Sequence, residues 1–143
     1  MKMLYPTSTE LDLSALPDEV EVYPYAVDQP LPPEHEDAEV LVVWGNTPEM
    51  LRDAATRLTK LKWIQSLAAG PDKVLGAGFD SEITITSGSG LHDRTVAEHA
   101  LGLLLVAARR FHEMRDAQRE GRWPAEGQFP HPGRRERHHL GLR

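Results

Sequence analysis

The stretch Glu39-Val40-Leu41-Val42-Val43-Trp44 decides the fold of this chain. Val40-Leu41-Val42-Val43 is continuously apolar, without polar alternation, which is typical of a parallel strand covered by helices on both faces. A helix start follows at once, because Asn46 or Thr47 can cap a helix that has Pro48 in its first turn. The stretch therefore predicts a central strand of an α/β sheet.

Strand-like and helix-like segments alternate on both sides of this stretch, over residues 1 to 121. Such alternation predicts a parallel sheet of five strands with flanking helices, an α/β fold. A short helix is expected from Pro71 through Leu75, and Pro24 makes the second strand an expected sheet edge. The predicted strands are Lys2 to Tyr5, Val20 to Tyr25, Glu39 to Trp44, Lys62 to Leu67 and Glu82 to Thr86.

Length, charge and cysteine content narrow the function classes. The chain has 143 residues, a formal net charge of −6 and no cysteine, which excludes disulfide scaffolds, Cys-based zinc sites and thiol nucleophiles. Because acidic residues outnumber basic ones, the composition argues against nucleic-acid binding. The apolar run Ala100 to Ala108 is far shorter than the roughly 20 residues that cross a bilayer. With no secretory signal at the N-terminus, we expect a soluble cytoplasmic protein without membrane partners.

A long helix is predicted from about Thr95 to Glu120, with Gly121 as its stop. Its first half is apolar almost all round, and such a helix is normally buried on every side. One small sheet covers only part of it, so the chain is expected to lack a partner surface. We expect an α/β domain over residues 1–93, a connecting helix over 94–122 and a disordered tail over 123–143.

Three stretches together resemble the D-isomer-specific 2-hydroxyacid dehydrogenase family. The resemblance covers about residues 35 to 123 and is to the N-terminal, substrate-binding portion; glyoxylate/hydroxypyruvate reductase-like members are the most similar. It implies a flavodoxin-like open sheet and, in a full-length relative, reduction of a 2-oxo acid with NAD or NADP as cofactor. The stretches are Val42-Val43-Trp44-Gly45, Leu61-Lys62-Trp63-Ile64-Gln65-Ser66-Leu67-Ala68-Ala69-Gly70-Pro71-Asp72 and Thr95-Val96-Ala97-Glu98-His99-Ala100-Leu101, the last continuing through Leu105.

The turn Ala69-Gly70-Pro71 is the first candidate site. It follows a central parallel strand, at the edge where open α/β sheets bind ligands, and it leads into a helix N-terminus that favours negative charge. The resemblance implies that backbone amides of Ala69 and Gly70 hold the substrate carboxylate, while Pro71 has no N–H to donate. The alternative is a plain strand-to-helix turn that needs small residues.

Trp44 and Gly45 end the third strand on the same rim. An indole there can wall a small-acid pocket and donate a hydrogen bond, although a core or interface tryptophan is an equal alternative. His92 lies in the loop before the long helix, where family members have an asparagine-containing loop near the substrate. The His92-Asp93 pair departs from that pattern, but His92 is kept as a candidate substrate-binding residue.

No metal site is expected from the acidic and imidazole groups near the long helix. Glu98 and His99 are adjacent, so they project about 100° apart on a helix and do not share a face. His99 is interpreted as a packing residue and Glu98 as a first-turn acid that complements the helix dipole.

The residues that perform the family's chemistry are not found. No G-x-G-x-x-G turn occurs in the chain, and no catalytic residue is assigned because the family's Arg, Glu and His have no counterpart. No cofactor is expected to bind this chain alone. If the codons of residues 133–143 are read with a shift of one base, they can encode a stretch that resembles the missing Gly-x-Gly turn. A frameshift in the gene is therefore a hypothesis for this tail, and sequencing the gene tests it.

Three functions remain open. The first is an inactive fragment of a 2-hydroxyacid dehydrogenase that binds a small 2-oxo or 2-hydroxy acid. The second is a non-enzymatic module that uses the apolar helix, Thr95 to Phe111, to form a homodimer or bind a partner. The third is a free-standing carboxylate sensor that uses the Ala69-Gly70 turn. Concentration-dependent association would favour the second, and ligand binding without dimerisation would favour the third.

Overall fold

A five-stranded parallel sheet forms the centre of residues 1–93 in the computed structural model of this protein, which describes residues 1–123. The strand order is β2-β1-β3-β4-β5, so the α/β class is confirmed, and β2, with Pro24, lies at an edge as predicted. The strands are β1 (Lys2–Pro6), β2 (Glu21–Tyr25), β3 (Val40–Val43), β4 (Trp63–Ser66) and β5 (Thr84–Thr86).

Strand β3 is the central strand that its sequence predicts. It pairs with β1 on one side and with β4 on the other, and all four of its residues are buried. Leu41 and Val43 join the larger apolar cluster, while Val40 and Val42 join a second cluster with Met3. A strand that contributes to two cores has no solvent face, which explains its unbroken apolar sequence.

Two helices follow strand ends in residues 1–93, besides a 3₁₀ turn over Pro33–His35. Helix α1 (Pro48–Arg57) has Thr47 as its N-cap, whose hydroxyl accepts from the Met50 N–H at 3.3 Å. Leu51 and Ala54 are its buried residues, as expected for the core-facing side of an amphipathic helix. Helix α2 (Asp72–Leu75) is a single turn.

The predicted single helix from Thr95 to Glu120 is wrong, because the chain forms two helices there. These are α3 (Asp93–Ala108) and α4 (Phe111–Arg119). Arg110 lies between them with a φ of 51°, the left-handed conformation that ends a right-handed helix. Its guanidinium Nε donates to Glu113 Oε1 at 2.7 Å, so the side chain that breaks the helix also binds an acid in the first turn of the next one.

Helix α3 has no buried residue among the described part of the chain, although it is apolar on nearly every side. Leu101, Leu103 and Leu104 are each more than half exposed. None of the helices within residues 1–123 is long and apolar enough to span a membrane. The predicted disordered tail and its frameshift hypothesis concern residues that, apart from Trp123, lie outside the described range.

Two ion pairs at the amino ends of the strands make the stability of residues 1–93 sensitive to acid. Lys2 Nζ donates to Asp37 Oδ1 at 2.7 Å, and Lys62 Nζ donates to Glu39 Oε1 at 2.5 Å. These hydrogen bonds hold the pKa of Asp37 and the pKa of Glu39 below their ordinary values. Carboxyls with lowered pKa values stabilise the fold above their unfolded pKa, and that contribution is lost as pH falls through the folded pKa.

We therefore expect the urea midpoint of unfolding to fall as pH drops below about 4, the range of unperturbed carboxyls. The double variant Asp37→Asn, Glu39→Gln should show a shallower fall over the same range. Both pairs are solvent-exposed, so added salt should also reduce the effect. An identical pH dependence in the variant and the parent chain would contradict this account.

Candidate functional site

The carboxyl ends of β3 and β4 border a cavity of about 460 Å³. Ligands of open α/β sheets bind at this edge, because the connections there leave a crevice between neighbouring strands. We name it the carboxyl-edge cavity. It is lined by Val43, Trp44, Gly45, Asn46, Leu51, Ser66, Ala68, Gly70, Asp72, Lys73 and Val74.

Gly45 turns the chain from β3 towards α1 and thereby positions Trp44. Its φ is +80°, a conformation that residues with a Cβ rarely adopt, and an added Cβ would lie 3.3 Å from Ser8 Oγ. Ser8 Oγ donates to the Trp44 carbonyl at 2.6 Å, which holds the turn from the β1 side. Trp44 is therefore fixed at the rim of the cavity, half-buried, where its sequence position predicts it.

His92 reaches the same edge of the sheet from the loop after β5. Its ring lies against the Trp44 ring, with centroids 5.5 Å apart and planes at 33°. His92 Nε2 lies 3.1 Å from the Leu67 carbonyl oxygen, just beyond the end of β4. His92 does not line the carboxyl-edge cavity itself, so the structure places it behind Trp44 and not in the cavity wall.

The loop that carries His92 is tied to the end of β4 through Gly88. The Gly88 N–H donates to the Ala68 carbonyl at 2.8 Å, and a Cβ at Gly88 would lie only 2.3 Å from the Leu67 carbonyl oxygen. Only glycine allows such a close approach of two backbone segments. Gly88 is therefore a positioning residue for the His92–Trp44 contact.

The Ala69-Gly70 turn is only partly in the cavity wall. Both residues are exposed, but only Gly70 lines the cavity, and Ala68 lines it in place of Ala69. Neither the Ala69 nor the Gly70 N–H donates to a backbone carbonyl of the sheet or of α2. The Ala69 and Gly70 N–H groups are therefore not used by the sheet or by α2.

The charges at the turn nearly balance. The Asp72 carboxylate lies beside Gly70: a Cβ added to Gly70 would be 2.7 Å from Asp72 Oδ2. Asp72 and Lys73 both line the cavity. Because α2 has only four residues, its dipole contributes little. The turn thus presents backbone N–H groups and Lys73, with the Asp72 carboxylate as an opposing charge.

Tyr25 and Asn46 form a buried polar pair that the sequence interpretation missed. The Tyr25 hydroxyl lies 2.8 Å from the Val42 carbonyl oxygen and 3.0 Å from Asn46 Oδ1. Burial raises the pKa of Tyr25 far above its ordinary value, so the hydroxyl stays protonated and able to donate. The sequence offers Asn46 or Thr47 as the cap of α1, and Thr47 takes that role. The position of Asn46 just after β3 is the sequence signal that it lies near the carboxyl edge of the sheet.

Residues 1–123 contain no group of three or more His, Asp or Glu side chains placed to hold a metal ion. A second cavity of about 530 Å³ lies at the amino ends of β4 and β5. Its lining includes Lys62, Asp80 and Glu82 together with the end of α1.

The described residues do not fit a dinucleotide. The strand-to-helix turn most like a phosphate cradle is Gly88-Ser89-Gly90, between β5 and α3. The Gly88 N–H already donates to the Ala68 carbonyl, and the Leu67 backbone occupies the space next to Gly88. In the G-x-G-x-x-G motif that binds dinucleotides, the third glycine would fall at position 93, which is Asp93 in this chain. No step through NAD or NADP is therefore derived from these residues.

No protein-family model matches the chain. Among solved structures, a D-isomer specific 2-hydroxyacid dehydrogenase family protein from Aeromonas salmonicida matches with a TM-score of 0.67 at 20% identity, over 87% of this chain and 40% of that one. A D-lactate dehydrogenase from Aquifex aeolicus, complexed with NAD and lactic acid, matches with a TM-score of 0.62 at 17% identity, over 90% and 40%.

The chain has the fold of these dehydrogenases. An acyclic imino acid reductase in complex with NADPH and D-Arg shares it too, with a TM-score of 0.63 at 20% identity, over 91% of this chain and 44% of that one. The chain spans about 40% of the length of the dehydrogenases named here. The fold implied by the sequence resemblance is thus confirmed.

Proposed function

We propose that this chain is the acid-binding part of an NAD(P)-dependent oxidoreductase that acts on D-2-hydroxy acids and the corresponding 2-oxo acids, such as glyoxylate or hydroxypyruvate. The carboxyl-edge cavity is the observation that carries the proposal. It combines the edge where open α/β sheets bind ligands, an aromatic wall at Trp44 and a backbone donor at Gly70, with the Ala69 N–H next to it in the turn.

Each group has a defined part in binding. The N–H groups of Ala69 and Gly70 donate to the carboxylate, and Lys73 adds positive charge on the same wall. The Trp44 indole covers the carbon skeleton of the acid, and His92 supports the indole from behind. A volume of about 460 Å³ is within the range of small-molecule sites and ample for a two- or three-carbon acid.

The cofactor in this proposal is NAD or NADP, whose nicotinamide exchanges a hydride with the acid. Residues 1–123 bind the acid only, and no catalytic residue is assigned among them. We expect no oxidation of NADH by the 143-residue chain with pyruvate or glyoxylate, because no hydride donor is positioned against the substrate.

The proposal is tested by isothermal titration of the chain with oxamate, a stable amide analogue of a 2-oxo acid. We expect saturable binding with a Kd on the order of 1 mM, equivalent to about −4 kcal/mol. The variant Trp44→Ala should lose most of this binding. Trp63→Ala is the matched control, because Trp63 begins β4 at the other end of the sheet and does not line the cavity. Failure of the parent chain to bind, or equal loss in both variants, would refute the proposal.

The exposure of α3 favours a second candidate, a module that associates through this helix as a homodimer. An apolar helix with an exposed surface of this kind is a common contact between protein chains. Leu104, at 62% exposure, lies in the middle of its apolar run. None of the residues of α3 is buried.

We expect the sedimentation coefficient of the chain to rise with concentration and the variant Leu104→Glu to suppress that rise. Leu75→Glu is the control, because Leu75 on α2 is equally exposed, at 63%. A monomer at all concentrations, or equal effects of the two variants, would eliminate the second candidate. Acid binding by such a monomer would instead favour a carboxylate sensor.

A further inference from the structure

We propose that the Ser66 hydroxyl makes the carboxyl-edge cavity selective for acids that carry a hydroxyl group on C3. The inference rests on the proposed function, because it concerns the acid that this cavity binds. The preferred ligand is a 2-oxo or 2-hydroxy acid with a hydroxymethyl substituent, and the disfavoured one has a methyl group in its place.

The first argument is where the buried polar residues lie. Apart from Tyr25, the buried residues with polar or charged side chains in the described part of the chain are Asn46 and Ser66, at 6% and 3% exposure. Both line the carboxyl-edge cavity. Asn46 contacts the Tyr25 hydroxyl through its Oδ1 at 3.0 Å. The hydroxyl of Ser66 has no such contact.

The second argument is the unused hydrogen-bonding capacity of Ser66. Its backbone carbonyl accepts from Gln65 Nε2 at 2.8 Å, but its hydroxyl has no hydrogen-bond partner among residues 1–123. The hydroxyl is not sealed in the core, because His35 Nδ1 is the fully enclosed side-chain atom without a partner in this part of the chain. A serine hydroxyl both donates and accepts. It can therefore bind a hydroxyl group that enters the cavity that Ser66 lines.

The third argument is the depth at which Ser66 lies. Leu51 and Val74, at 0% and 1% exposure, line the same cavity, so they and Ser66 belong to its inner wall. Gly70 and Lys73 line the cavity too but are exposed, and they belong to its outer wall. An acid whose carboxylate is bound at the outer wall directs its other end towards the inner wall. The substituent on C2 therefore meets Ser66.

This inner wall distinguishes substituents by hydrogen bonding. A hydroxymethyl group can exchange a hydrogen bond with the Ser66 hydroxyl, in place of the one that water offers. A methyl group displaces water without replacing its hydrogen bond, and such a displacement lowers affinity. A hydrogen bond between two neutral groups corresponds to about 3–10-fold in affinity.

D-Glycerate and D-lactate are the matched probes, because they differ only in the hydroxyl group on C3. We expect D-glycerate to bind the 143-residue chain about 3–10-fold more tightly than D-lactate, with both Kd values measured from ¹⁵N–¹H NMR shifts of the Gly45 and Gly70 amides. Ser66→Ala should weaken binding of D-glycerate by the same factor and leave the Kd of D-lactate within about twofold. Ser81→Ala is the matched control, because Ser81 is exposed and does not line the cavity.

The failure of this inference and the failure of the proposed function give different results. Equal Kd values for the two acids in the parent chain, or tighter binding of D-lactate, would overturn the role of Ser66 and leave the proposed function standing. A preference for D-glycerate that persists in Ser66→Ala would do the same. If neither these acids nor oxamate shift any signal, both are refuted. The comparison of the two acids in the parent chain does not depend on the folding of any variant.

Discussion

Replacing Ile64 with alanine is expected to lower the free energy of unfolding of residues 1–93 by about 2–5 kcal/mol. Ile64 is completely buried in the middle of β4. It stands in register with Leu41 on β3 and with Ile85 on β5, and it belongs to the larger apolar cluster. Removing its side chain loses the burial of three carbon atoms and leaves a cavity that the sheet cannot close without breaking its register. Urea titration followed by far-ultraviolet circular dichroism measures the loss.

Ile85→Ala is the control for this prediction. Ile85 has the same side chain and faces the same cluster, but it is only partly buried and lies on the edge strand β5. Its replacement should cost clearly less than that of Ile64, since less apolar surface is removed from water. Equal losses in the two variants would mean that β4 is not the interior strand described here.

Replacing Gly88 with alanine is expected to destabilise the chain by about 1–3 kcal/mol and to separate the His92 and Trp44 rings. The new Cβ would lie 2.3 Å from the Leu67 carbonyl oxygen and 2.6 Å from its carbonyl carbon. These are backbone atoms that follow β4, so the clash cannot be relieved by a side-chain rotation. The loop must move away, and it then loses the Gly88–Ala68 hydrogen bond as well.

Gly76→Ala is the matched glycine control. A Cβ at Gly76 would meet the Asp72 carbonyl oxygen at 3.4 Å, an ordinary contact, and the φ of −79° suits alanine. We expect a change within about 0.5 kcal/mol. The indole N–H signal of Trp44 in an NMR spectrum should move in Gly88→Ala and stay in place in Gly76→Ala. An unchanged Trp44 signal in Gly88→Ala would show that the loop does not position the aromatic pair.

The sheet could be predicted because its signals are local. Val40–Val43 is apolar throughout, and Pro24 restricts β2 to an edge, so strand type and position follow from short stretches. The break between α3 and α4 could not be predicted, since no glycine or proline marks it. It depends on Arg110 adopting a left-handed conformation that its sequence does not favour.

Part of the candidate site could also be predicted from the sequence, namely the residues that directly follow strand ends. Trp44, Gly45 and Gly70 follow strand ends, and the parallel topology brings all strand ends to one edge. The Tyr25–Asn46 pair was missed because it joins residues 21 positions apart: Tyr25 ends β2, Asn46 follows the end of β3, and β1 lies between these two strands. Such a contact depends on the assembled sheet and leaves no periodic signal in the sequence.

The central claim, that the carboxyl-edge cavity binds a small carboxylic acid, is tested most directly by a two-dimensional ¹⁵N–¹H NMR titration of the chain with oxamate. The account predicts saturable shifts at the backbone amides of Gly45, Ala69 and Gly70 and at the Trp44 indole. It would be contradicted by an unchanged spectrum, or by shifts confined to the second cavity near Lys62 and Glu82.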